Sequence, residues 1–232
     1  MVSKVVDDIN VQMPYDVYPQ DRDQSTFKAY LTVVVRDEKG DIIKVHKQWS
    51  RSPTFNFMGL FLPTNWYSNT NNTWTITNTG GTSYTYNPGS GSNQNALSYP
   101  GTSYNEPAYL VMIQVGSGQQ SNPYSAYTLA APIANGTGSG QLLYGYPSVS
   151  QTPTVSGSSV SFTISQAFNN QSGGTVVITE LGIILDIYMY NLSAKAYQNF
   201  GYFLMWYDVL SSAISVPNGG SIVIYYTFTV NP

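Results

Sequence analysis

The sequence predicts an all-β protein, a jelly-roll-like sandwich or barrel with one short helix near residues 53–62. Three observations carry that prediction. About ten runs of β-branched and aromatic residues are punctuated by Gly, Pro and Asn turns. Beyond Pro63 no helical period is sustained over twelve residues. The strongest runs come last, so the chain closes on a strand instead of a tail.

In chain order, residues 1–25 are polar, carry Pro14 and Pro19, and read as an extended N-terminal arm. The first strand is Phe27 to Arg36, a β-branched run. Asp37-Glu38-Lys39-Gly40 makes a turn, with Gly at the position that tolerates positive φ. Asp41 to Trp49 returns, with Ile43, Val45 and Trp49 on one face and Lys44, His46 and Gln48 on a polar one. Ser52 caps the predicted helix with Pro53 at its first position, Phe57, Leu60 and Phe61 at helical spacing, and Pro63 as the stop.

Residues 64–105 are a low-complexity stretch of Asn, Thr, Gly, Ser and Tyr, read as a surface excursion with β-like pieces at Thr73–Thr77 and Ser83–Tyr86. Strands are then expected at Ala108–Val115, Ser125–Ala131, Gln141–Tyr146, Val160–Phe168, Thr175–Ile178, Gly182–Tyr190, Tyr202–Val209 and Ser221–Val230. Glu180 and Asp208 are expected at strand ends, accepting backbone N–H bonds. With no internal repeat and no linker, residues 26–232 are expected to form a single β-sandwich domain carrying the 64–105 excursion.

Charge is distributed very unevenly. Sixteen of the 21 charged side chains lie in the first 51 residues, and beyond Arg51 only Lys195, Glu106, Glu180, Asp186 and Asp208 remain. A surface of Ser, Thr, Asn, Gly and Tyr is solvated by neutral groups, so its solubility depends little on pH or salt. The basic residues do not form the stripe that binding phosphate backbones requires, which argues against nucleic acid as a partner. There is no cysteine, so disulfides, thiolate metal sites and a cysteine nucleophile are excluded. No run approaches eighteen apolar residues, and Met1–Asp23 has no apolar run of signal-peptide length, so neither a membrane span nor a signal peptide is expected.

Catalytic chemistry is poorly supplied. The single histidine, His46, sits among lysines and is expected to be solvated or at an interface. Asp186 and Asp208 fall in neighbouring expected strands, the arrangement a glycosidase pair requires, but four acids among residues 52–232 are a thin supply for a cleft. No catalytic residue, cofactor or metal is expected. Tyr84, Tyr86, Tyr99 and Tyr104 would suit either a carbohydrate platform or packing against a neighbour. Of four glycosylation sequons, those at Asn71 and Asn135 fall in expected loops and are the candidates for modification.

Two stretches carry a resemblance. The first runs from Asp37-Glu38-Lys39-Gly40 through Arg51-Ser52 to Phe57-Met58-Gly59-Leu60. The second joins Ile178-Thr179-Glu180-Leu181-Gly182-Ile183, Phe203–Leu210 and Val216-Pro217-Asn218-Gly219-Gly220-Ser221 onward to Tyr226. Together they resemble β-jelly-roll virion structural proteins, the capsid and turret subunits of viruses infecting hyperthermophilic archaea. The resemblance would place a basic residue before Asp208, where this chain has Tyr207. It implies a non-enzymatic capsid, vertex or turret subunit acting by self-assembly, made in the host cytoplasm and located in the virion. Its expected partners are copies of itself and other virion proteins, with glycan contact as a further expectation. Candidate assembly or surface contacts are Tyr15, Tyr18, Arg36, Lys44, His46, Arg51, Tyr84, Tyr86 and Tyr104. The alternatives left open are a cell-surface filament or adhesin subunit of a thermophile and a carbohydrate-binding β-sandwich module.

Overall fold

The computed structural model describes residues 27–50, 52–61, 74–86, 111–150, 152–191 and 196–230. They form an antiparallel β-sandwich. The first sheet contains β1 (Phe27–Arg36), β2 (Ile42–Ser50), β9 (Ser159–Asn169) and β12 (Ser221–Val230) in the order β2-β1-β12-β9. Three short strands, β6 (Leu143–Tyr144), β7 (Ser148–Val149) and β8 (Thr154–Ser156), line the far side of β9. The second sheet is β11 (Ala196–Val216), β10 (Val176–Asn191) and β5 (Val111–Gly116), in that order. A separate hairpin pairs β3 (Trp74–Thr77) with β4 (Ser83–Tyr86). The first and last strands are neighbours, so the expected all-β sandwich is the observed one, with a short helix, α1 at Phe55–Phe61, as the one α-helix among the described residues.

Period-two alternation sets the main core. Leu31, Val33 and Val35 of β1 and Ile222 and Ile224 of β12 face Ile113, Val115, Leu181, Ile183 and Trp206 of the second sheet, and all are buried. Unlike a one-sided sheet, the second sheet is buried on its back as well. There Ile184, Leu204 and Tyr207 pack beneath Ala126 and Leu129 of the 117–131 loop. Further along, Ile187, Phe203 and Met205 are covered by Ile76 of β3 and flanked by Phe57 of α1. The described part of the 64–105 excursion is therefore packed onto the body.

Four sequence expectations are corrected. The strands expected at Thr175–Ile178 and Gly182–Tyr190 are one strand, β10, and Glu180 and Asp208 lie inside long strands instead of at their ends. Register shifts after Ile178, Ile183 and Asp186 bend this long hairpin without ending it. Ser125–Ala131 is not a strand. It is a loop opening on a 3-10 turn at Pro123–Ser125, because its N–H groups at Ala130 and Ala131 are held by the Glu180 carboxylate instead of a ladder. The helix is capped by Thr54, whose carbonyl accepts from Met58 and whose hydroxyl lies 3.5 Å from the Phe57 N–H, and not by Ser52. Ser52 and Pro53 instead run along β11, with Pro53 bridged to Trp206.

The turn at Asp37–Gly40 forms as expected. Gly40 adopts a φ of 89°, and the Asp37 carboxylate accepts the N–H groups of Lys39 and Asp41, both at 2.9 Å. Gly182, inside β10, is required for a different reason. A Cβ there would lie 2.5 Å from Leu204 Cδ1 and 3.0 Å from the Trp206 carbonyl, so the strand pair closes only without a side chain.

Candidate functional site

The polar face of β2 points inward, not to solvent, which reverses the expected arrangement. Lys44, His46, Gln48 and Ser50 stand opposite Val35, Val33, Leu31 and Ala29, on the side of the sheet that faces the core. Ile42, Ile43 and Val45 are 49%, 52% and 50% exposed. The reason lies across the sandwich, where the outer edge of β11 needs hydrogen-bond partners. The Gln48 carboxamide donates to the Val209 carbonyl at 3.0 Å and accepts the Ser211 N–H at 2.9 Å, standing in for a peptide unit of a missing strand. Lys44 Nζ donates to the Ala213 carbonyl at 2.9 Å. Further along, the Ser52 carbonyl accepts the Tyr207 N–H, and the Thr54 N–H donates to the Met205 carbonyl, both at 3.0 Å. This run of polar groups closes the β11 edge.

His46 belongs to that seam. It is buried, with Nε2 2.8 Å from Gln48 Oε1 and Nδ1 3.4 Å from the Ser212 hydroxyl. Of the two placements expected from sequence, solvated or at an interface, the solvated one is corrected: the ring is internal to the sandwich. No carboxylate orients it, and no nucleophile completes a triad with it among the described residues.

The opposite edge of the second sheet is closed by the same chemistry. Gln166 of β9 accepts the Ile113 N–H at 2.7 Å and donates to the Gly145 carbonyl at 3.0 Å. Ile133 donates to the Val115 carbonyl at 2.9 Å, and Ser117 to the Ala131 carbonyl at 2.9 Å. The Tyr144 hydroxyl, 3.4 Å from the Val115 N–H, donates to the Ile133 carbonyl at 2.7 Å. Its burial pushes that phenol up to about 12, a shift its contact with Val115 opposes. With β6, β7 and β8 lining β9, β2 from Ile42 to Lys47 is left with no pairing segment on its outer side among the described residues.

The three described late carboxylates occupy separate environments. Glu180, fully buried behind the second sheet, accepts N–H groups from Gly118 (3.1 Å), Ala130 (3.0 Å) and Ala131 (2.7 Å), and the Tyr207 hydroxyl at 2.7 Å. Tyr207 in turn accepts the Gln120 N–H at 2.6 Å. The residue in place of the expected basic side chain thus completes the anchor of the 117–131 loop. Asp208 lies on the opposite face, bonded to the Ser50 hydroxyl, which also receives the Trp206 indole N–H. Burial, then the Asp208 charge, raise the Tyr226 phenol well above its ordinary value. Asp186 pairs with Tyr202 in the ladder and Asp208 with Leu181, so the glycosidase-like pair is not assembled. No cluster of three or more His, Cys, Asp or Glu suited to a metal is found among the described residues.

The remaining candidates separate cleanly. Arg36 donates to the Gly40 carbonyl at 2.8 Å and so braces its own turn. Tyr84 packs edge-on against Phe200 at 4.8 Å and beside Phe203 at 5.9 Å, so its ring joins the β3–β4 hairpin to the body. Asn135 is an exposed loop residue whose side-chain oxygen accepts the Tyr144 N–H at 2.9 Å. Asn170, in another sequon, is fully buried and donates to the Val216 and Gly174 carbonyls, which leaves no room for a glycan. Tyr15, Tyr18, Arg51, Asn71 and Tyr104 lie outside the described residues, as does the side chain of Tyr86. No described helix is long and apolar enough to cross a membrane.

The open β2 edge escaped the sequence reading because the half-exposed apolar residues sit where alternation assigns a core face. One signal was available. In Phe162-Thr163-Ile164-Ser165-Gln166-Ala167-Phe168 the inward positions read Phe, Ile, Gln, Phe, and a carboxamide in that series marks a buried polar duty. Comparison of the chain with protein-family models, curated proteins and solved structures gives no match.

Proposed function

We propose that this chain is a non-enzymatic virion structural subunit, a capsid, vertex or turret protein that works by assembling with copies of itself and with other virion proteins. The observation that carries the reading is the asymmetry of the sandwich edges. The second sheet is closed on both sides by dedicated internal groups, whereas β2 of the first sheet presents Ile42, Ile43 and Val45 half-exposed along an edge that no described segment pairs. An edge of this kind is a liability in a monomer and a contact in an assembly.

The internal chemistry supports the same reading. Gln48, Asn56, Asn78, Gln166 and Asn170 each bind main-chain groups that regular pairing leaves over. Neutral carboxamides neither titrate nor lose strength to salt as ion pairs do, which suits a particle exposed to acid and heat. The test is the mass of the purified chain by light scattering at neutral and acid pH. A defined oligomer is expected at both; a monomer at every concentration and pH overturns the reading.

A further inference from the structure

We propose that the open edge of β2, from Ile42 to Lys47, is a strand-acceptor site whose occupant is the Ile9–Met13 segment of a second copy of this chain. The proposal rests on the assembly reading above and deepens it by naming the contact. An edge with no pairing segment among the described residues, flanked by half-exposed apolar side chains, leaves backbone groups and hydrophobic area for a partner strand to satisfy together. Among the described residues both edges of the second sheet and the β9 side of the first are lined, so β2 is where an added strand completes the fold.

The sequence of the arm supplies a matching donor. Ile9-Asn10-Val11-Gln12-Met13 alternates apolar and polar residues, and Pro14 ends the run where a ladder would lose its next N–H. Five residues of strand extend about 17 Å, matched to the six-residue open stretch of β2. Charge points the same way. Residues 1–26 hold two basic and five acidic side chains, whereas residues 27–51 hold six basic and three acidic ones, so an arm of net −3 meets a hairpin of net +3. A strand supplied from within the same chain would close the last edge and leave nothing to join copies; supplied from a second copy, it links them.

The chain has no cysteine, which makes cross-linking direct. One preparation carries Val45→Cys. Five others carry a single cysteine at residue 9, 10, 11, 12 or 13. Each pair is mixed under mild oxidation and resolved on non-reducing gels, with each preparation alone as control. The expected result is a mixed disulfide dimer chiefly from one of positions 9, 11 and 13, the one that stands opposite Val45, and little from 10 and 12, since only one face of a strand meets Val45 and residues two apart lie about 7 Å apart along it. Val11→Pro, outside the described body, is expected to abolish the oligomer while leaving the thermal transition in place. A doubly substituted chain (Val11→Cys with Val45→Cys) that cross-links only within itself overturns the proposal. So does an oligomer that persists with no mixed dimer at any position, an outcome that leaves the assembly reading standing. A chain that never oligomerises removes both.

Discussion

Glu180 and Asp186 lie six residues apart on β10; both are buried, and neither faces a cation among the described residues, yet they are held very differently. Glu180 has three backbone N–H donors and a phenol, a set that replaces the hydration shell of a carboxylate. Among the described residues Asp186 has one hydrogen bond, from the Asn199 carboxamide to Oδ2 at 3.3 Å, and its Oδ1 is buried without a partner. Burial therefore raises the Asp186 carboxyl above its ordinary value, and Asn199 only partly opposes this. A buried charge without a counter-ion is tolerable where donors surround it and costly where they do not.

Removing the donors' target breaks the comparison most severely. Glu180→Ala leaves three loop N–H groups and the Tyr207 hydroxyl without their acceptor beneath the loop that folds over it. The expected loss is about 3 kcal/mol or more, seen as a fall in Tm of about 6–12 °C in calorimetry. Glu180→Gln, which keeps one acceptor oxygen, is expected to lose less. If the two variants melt alike, the anchoring role assigned to the carboxylate fails.

Tyr207 offers the next largest effect and a pH signature. Burial raises its hydroxyl well above 10, and the adjacent Glu180 and Asp208 charges raise it further, while its bond from Gln120 opposes them. Tyr144 and Tyr226 are raised as well. A group whose folded value is raised contributes stability that is complete below the unfolded value and is lost as pH climbs through the folded one. The Tm is therefore expected to hold up to about pH 10, the ordinary tyrosine value, and to fall between pH 10 and 12. Tyr207→Phe should cost about 1–3 kcal/mol at pH 7 and make that alkaline fall shallower. An unchanged alkaline limb would assign it to the other two phenols.

The strands were legible because their side chains alternate and their turns carry Gly, Pro and Asn. Phe27–Arg36, Ser83–Tyr86 and Ser221–Val230 match residue for residue. What stayed hidden was the polar interior. Carboxylates were expected at strand ends, so Glu180 split β10, and Lys44, His46 and Gln48 were read as the polar face of a hairpin with no internal partner. Each of these side chains bonds to a partner more than a hundred residues away or to a loop folded over it, and local alternation carries no record of such pairings. The candidate assembly edge was hidden as well, because the sequence places Ile43 and Val45 on one face with Trp49 without saying which way that face turns.

Gln48 represents a third way to hold a buried polar duty, with no charge at all. Gln48→Leu keeps the bulk but leaves the Val209 carbonyl and Ser211 N–H of β11 without their partner. The expected cost is about 1 kcal/mol, because that edge reaches water. The telling readout is hydrogen exchange at Ser211, which should accelerate while amides in the β1–β12 ladder keep their protection. Unchanged exchange at Ser211 would mean that the carboxamide does not hold the edge.

Asp186 gives the smallest effect and the only gain. Its raised carboxyl takes up a proton on folding, so by the same sign rule its contribution is complete below about pH 3.8 and is lost as pH rises. At neutral pH the folded chain carries a buried, poorly partnered charge that a neutral amide of the same shape avoids. Asp186→Asn is therefore expected to raise stability by about 1 kcal/mol at pH 7 and to change it little at pH 3, where the carboxyl is protonated already. Equal effects at the two pH values would show that shape, and not charge, governs the site. A loss at both would show that Asn199 meets the Asp186 carboxylate better than a single 3.3 Å contact indicates.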